Sequence, residues 1–287
     1  MMIATVPDLP PPPPSITIFV HGTQHAATGW IPKYASWAYN FTHHQDGLHR
    51  ALDIPHDYLY THLAKHLEDG DSKKFPLEHT YIFCWSGALS HTARLKAASE
   101  LNKALNELVK KHTNPPHITI ITHSHGGNVV LNIMNIEDEK EYIINTLIMT
   151  ANPVQTTTKE CAEDDTIIKE ILAPHSHGDY IQVAAPQQHP DQDLFKESSF
   201  TSKEKIKNFL LSWLPPFSQR HFPKNSRVKH IKITCNGTSL SHIGFLLPSF
   251  TTTLGKIIDQ AHCYDFSKEE MVYDIKPLSS DFLQFWK

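Results

Sequence analysis

Ile118-Thr119-Ile120-Ile121-Thr122-His123-Ser124-His125-Gly126-Gly127-Asn128-Val129-Val130-Leu131 decides the reading of this chain. A β-branched apolar run enters a serine, passes two glycines and continues into a second apolar run. That order predicts a buried strand, a tight turn and a helix, with Ser124 at the corner. Such a turn strains the backbone at the serine and exposes its oxygen, so residues two positions away must be small. Gly126 meets that need on the helix side; Thr122 stands where glycine is usual and brings only a short branched side chain. The helix N-terminus behind Ser124 favours developing negative charge, and the His125 backbone N–H is the first candidate donor to it. The plainer reading of Ser-His-Gly-Gly is an ordinary strand-to-helix turn.

Other segments repeat the pattern. Ser15–Val20 ends at His21-Gly22, Thr80–Trp85 at Ser86-Gly87 and Thr146–Thr150 at Asn152-Pro153, while Tyr180–Val183 and Val228–Thr234 complete six expected strands. Helices are expected over Ser90–His112, where Leu95, Ala98, Leu101, Leu105 and Leu108 form one apolar stripe, and over Asp57–Leu67, Ile206–Leu214 and Leu254–His262. Alternating strand and helix imply an α/β fold, a mostly parallel sheet of about six strands with helices on both faces. Residues 1–15, with the Pro10–Pro14 run, read as a stiff lead. Residues 16–250 read as the main domain, 186–227 as a cap or lid or else a long crossover, and 251–287 as a helical extension on the same domain.

Composition sets outer bounds. The 287 residues are 40% apolar and 10% aromatic, enough for a large core. Twenty-six basic against 30 acidic residues give a net charge of −4, which argues against nucleic acid as the main partner. No apolar run reaches membrane-spanning length, and no secretory signal is visible at the N-terminus. Four cysteines (Cys84, Cys161, Cys235 and Cys263) are too few for a disulfide scaffold. The expectation is reduced thiols and a cytoplasmic protein.

A reactive serine needs a base, an orienting carboxylate and donors for an oxyanion. Asp179 in His175-Ser176-His177-Gly178-Asp179 follows Ser124 by 55 residues, and His242 in Asn236-Gly237-Thr238-Ser239-Leu240-Ser241-His242 follows Asp179 by 63. The order Ser, Asp, His makes Ser124 the candidate nucleophile, Asp179 the orienter and His242 the base. A second oxyanion donor is expected after the first strand, the Thr23 N–H, with Gly22 allowing close approach. His21, Gly22 and Trp85 are candidate pocket residues; for Trp85 the competing role is core packing at a strand end.

Val20-His21-Gly22-Thr23, Trp85-Ser86-Gly87 with Ser90 and Arg94, and Thr122–Asn128, together with Asp179 and His242, resemble the α/β-hydrolase superfamily, and within it a bacterial esterase/lipase-like group. The likeness spans Ile16 to Phe245. It implies carboxylic-ester hydrolysis through an acyl-serine intermediate, no cofactor, a small-molecule or lipid ester as substrate and possible peripheral membrane contact. It also implies that the usual first two strands are missing, since only 15 residues precede Ile16.

Twenty-one histidines raise a metal-dependent alternative. His175, His177 and Asp179 match His-x-His-x-Asp, the start of a binuclear zinc site, although Tyr180 replaces the histidine that should follow and Gly127 stands where a His123/His125 cluster would need aspartate. A non-catalytic binding protein on a hydrolase scaffold is the third reading; a complete Ser/Asp/His set argues against it.

Overall fold

Strand alternation builds both faces of the sheet. In β1 (Ser15–Val20), Ile16, Ile18 and Val20 point into one core while Phe19 points into the other. β4 (His117–His123) repeats this with Ile118 and Ile120 on the first face and Ile121 on the second. The first face is covered by α2 (His91–Val109) and α3 (Gly126–Leu131), the second by α1 (Leu59–Asp71) and α6 (Leu254–Cys263). In α2 Ala98, Leu101, Leu105 and Leu108 of the expected stripe are buried, whereas Leu95 is only half-buried and Ala97 takes its place in the core; the Ser90 hydroxyl caps the N-terminus by accepting from the Ala93 N–H.

The computed structural model describes residues 13–23, 44–184, 218–223 and 227–278. Within them the remaining elements are β2 (Gly47–Arg50), β3 (Thr80–Cys84), β5 (Ile144–Thr150), β6 (Ile168–His175), α4 (Ile181–Ala184), β7 (Lys229–Cys235), β8 (Thr238–Ser239), α5 (Pro248–Thr251) and β9 (Met271–Ile275). The strands form one sheet in the order β2-β3-β1-β4-β5-β6-β7-β8, with β9 also pairing with β7. All pairings are parallel except β2 with β3 and β7 with β8. The chain leaves β1 for β3 on one side and returns to β4 on the other. The loops after β1 and β4 therefore meet at the switch point, where open α/β sheets bind their ligands.

Several expectations change. The described sheet has nine strands rather than six. An antiparallel strand, β2, fills the outer place beside β3, so the chain between β1 and β3 supplies an edge of the sheet. Tyr180–Val183 is not a strand. Asp179 Oδ1 accepts the Gln182 N–H at 2.9 Å, and the Ala184 N–H reaches the Tyr180 carbonyl at 2.9 Å. That turns the segment into the short helix α4, with Tyr180 75% exposed. The strand beside Asp179 is β6, which precedes it. The Ile206–Leu214 helix and most of the 186–227 cap lie outside the described residues. The C-terminal region adds α6 to the second core and β9 to the sheet. All four cysteines are free thiols. No helix among the described residues is long and apolar enough to cross a membrane.

Candidate active site

β4 runs parallel to β5 as far as His123, and the Ser124 N–H still donates to the Thr150 carbonyl at 2.9 Å. There the chain reverses. Ser124 has φ +53, a left-handed conformation rare for a non-glycine residue, and its carbonyl accepts the Gly127 N–H at 3.2 Å to open α3. The turn closes only because the neighbours are small. A Cβ on Gly126 would stand 2.3 Å from the Val20 carbonyl oxygen, so α3 rests directly on the end of β1. Thr122, in the place usually taken by glycine, is fully buried and donates its hydroxyl to the Ile148 carbonyl at 3.3 Å. Gly127 makes this possible: a Cβ there would lie 3.1 Å from Thr122 Oγ1 and 2.4 Å from Asn152 Oδ1. The glycine missing before the serine is matched by one after it.

The loop after β1 comes within contact of the serine. A Cβ on Gly22 would lie 2.7 Å from Ser124 Cβ and 3.4 Å from its Oγ. His21 and Trp85 brace this loop. The Trp85 backbone N–H donates to His21 Nε2 at 3.1 Å, and the indole N–H donates to the His21 carbonyl at 2.8 Å. Because Nε2 accepts, the proton sits on Nδ1, which donates to the Gly22 carbonyl at 2.8 Å. That carbonyl faces the His21 ring, so the Thr23 N–H, antiparallel to it across the same peptide plane, points the opposite way. Both rings are buried and stacked with centroids 5.7 Å apart, so His21 and Trp85 hold the loop's shape rather than offer a surface.

The candidate acid and base lie on the loops after β6 and β8. Asp179, fully buried, accepts from His242 Nδ1 through Oδ2 at 2.8 Å while its Oδ1 caps α4. The two loops are joined twice more. The Leu240 N–H donates to Ser176 Oγ at 2.8 Å, and Gly178 packs so closely that a Cβ would sit 2.8 Å from the Leu240 carbonyl oxygen. Arg220 fixes the far side by donating to the carbonyls of Ser176, His177 and Asp179 at 3.3, 3.1 and 2.9 Å. Asp179 is thus committed to His242, and the His175/His177/Asp179 metal set is not assembled. His175 groups instead with His221 and His230.

His123 joins the two halves of the site. Its Nε2 donates to the His242 carbonyl at 3.0 Å, and the two rings lie 4.6 Å apart. Burial pushes its imidazole down to about 3, so it remains neutral. Strand alternation carried the signal: His123 shares the face of Ile121, toward which the His242 turn packs. His125 is buried too, and its Nδ1 accepts from Asn128 Nδ2 at 3.3 Å. Burial, then the nearby Arg94 guanidinium, hold it well below the ordinary histidine range. Asn128 also donates to Asn152 and to the Pro153 carbonyl, tying α3 to the chain after β5. Nothing in the sequence pattern singles out Asn128 or Arg220.

The mostly parallel sheet, helices on both faces and a strained serine between β4 and α3 constitute the α/β-hydrolase fold. No protein-family model and no curated protein matches the chain. Solved structures similar to it include an alpha-beta serine hydrolase homologue from Coxiella burnetii, at 14% identity and TM-score 0.40 over 88% of this chain and 84% of that one. A lipase/esterase from Lactobacillus plantarum is 10% identical, with TM-score 0.34 over 96% and 81%. Phospholipase PlaB from Legionella pneumophila, solved with thio-NAD, is 21% identical with TM-score 0.29 over 48% of this chain, which spans a quarter of that protein's length.

Proposed function

We propose that this chain is a serine hydrolase of carboxylic esters. Ser124 attacks the ester carbonyl, His242 takes the serine proton and returns it to the leaving alcohol, and Asp179 holds the His242 tautomer and stabilises its protonated form. The N–H groups of Thr23 and His125 receive the oxyanion. Water then releases the acid from the acyl-serine by the same proton transfers in reverse order. The observation that carries this reading is the buried Asp179–His242 pair at 2.8 Å, on the sheet edge that also holds a serine at φ +53.

A fluorophosphonate probe tests it on the whole chain. Labelling at Ser124, absent in Ser124→Ala, together with turnover of p-nitrophenyl esters, is the expected result; a folded chain that neither labels nor turns over any chain length would end the proposal. The same ester panel, run from short to long acyl chains, separates an esterase from a lipase.

Gly22→Ala gives a finer test. The added methyl would lie 2.7 Å from Ser124 Cβ and 2.8 Å from the His123 carbonyl oxygen, so the loop must withdraw. Displacing an oxyanion donor costs on the order of 100-fold or more in kcat. Turnover should fall by that amount with KM changed little, as read from steady-state kinetics.

A further inference from the structure

Four chain segments converge beside the acid loop without serving the proposed chemistry. His175 ends β6, His230 lies on the adjoining β7, Glu270 immediately precedes β9, and His221 comes from the described stretch 218–223. His175 Nε2 is 3.0 Å from Glu270 Oε2 and 3.1 Å from His221 Nε2, which is itself 3.5 Å from the same carboxylate oxygen. A ligand nitrogen of His230 falls within 4.8 Å of the other imidazole nitrogens.

This triangle cannot be satisfied by hydrogen bonds alone. A neutral imidazole carries one N–H and a carboxylate carries none. If only one ring directs its proton inward, the other ring's lone pair faces the carboxylate; if both do, two donors confront each other. His230 adds a second anomaly, since both its ring nitrogens are buried without a hydrogen-bond partner. Buried polar atoms in that condition are uncommon and call for a reason.

We infer that His175, His221, His230 and Glu270 form a Zn²⁺ site. Three imidazole nitrogens and one carboxylate oxygen are a standard zinc donor set, and tetrahedral coordination at about 2.1 Å places donor atoms roughly 3.4 Å apart. The three closest separations already bracket that value, so binding requires only that the His230 ring draw in. The His175 side chain is 1% exposed, whereas those of His221 and Glu270 are 44% and 34% exposed, which leaves an entry path from solvent. Four protein ligands close the coordination shell, which makes the role structural. The metal fastens stretch 218–223, and with it Arg220 and the three carbonyls that Arg220 holds around Asp179, to the sheet.

The test uses the full chain without a histidine tag, dialysed against Zn²⁺ and then freed of loose metal. Expected are one Zn²⁺ per chain by elemental analysis, a Co²⁺ form with the intense visible bands of tetrahedral coordination, and a Tm that falls when the metal is chelated. His221→Ala, on the exposed side of the cluster, should fold normally, bind Zn²⁺ at least ~100-fold more weakly in competition with a chromophoric chelator, and lose the response of Tm to chelation. His230→Ala and Glu270→Gln should weaken binding in the same assay, while His56→Ala, at an exposed position elsewhere, should bind as the parent does. Absence of stoichiometric zinc in the parent, or binding undiminished in His221→Ala, overturns the site.

Discussion

Ser124→Ala is expected to lower kcat for ester hydrolysis by about a million-fold while leaving secondary structure and Tm close to those of the parent. The reason is chemical: without Oγ no acyl intermediate can form, and His242 has no proton to take. The backbone tolerates the change because alanine meets the same cost as serine at φ +53, and the Ser124 N–H bond to Thr150 does not involve the side chain. Stopped-flow and steady-state assays with p-nitrophenyl esters, beside circular dichroism, provide the measurement. Residual turnover within tenfold of the parent would remove Ser124 from the nucleophile's role.

Asp179→Asn is expected to cost about 10⁴-fold in kcat. The carboxylate accepts at both oxygens, from His242 Nδ1 and from the Gln182 N–H. An asparagine amide can keep the bond to Gln182 through its oxygen and turn its NH₂ toward His242. Nδ1 then becomes the acceptor, Nε2 carries the proton, and the base can no longer accept from a hydroxyl. The helix cap survives, so loss of turnover without loss of Tm distinguishes a tautomer effect from unfolding. An Asp179→Asn chain of near-normal activity would pass the orienting role to another carboxylate and dissolve the proposed triad.

Legibility in the sequence followed the size of the local signal. β1, β3, β4 and β5 are short, largely apolar runs rich in β-branched residues that end in turn residues, and the structure has them within two residues of the expected ends. β6 was not legible, because Lys169-Glu170 and Pro174 interrupt the apolar pattern of Ile168–His175; pairing with β5 and β7 overrides that local preference. The opposite error fell on Tyr180–Val183, whose composition favours a strand until the Asp179 carboxylate caps it into a helical turn. β8 follows an Asn236-Gly237 turn with φ +48 and +72 at its centre, a hairpin signal that two strand residues are too few to announce. Of the candidate site, chain order made Ser124, Asp179 and His242 readable, because it reflects which loops share a sheet edge. Arg220, Asn128 and the Thr122–Gly127 exchange depend on contacts between distant segments, which carry no local pattern.

The bonds that tie the Asp179 loop to the His242 loop give those two residues one common frame, whereas Ser124, Gly22 and α3 share another. His123 ties the frames together through its bond to the His242 carbonyl, and Gln182 adds a second tie by donating to the Asn152 carbonyl at 2.7 Å. In the proposed chemistry the reactivity of the hydroxyl depends on the gap between these two blocks, which one continuous sheet carries. Slippage along it would silence the hydroxyl without melting anything, so heat or pressure should extinguish turnover before either block comes apart.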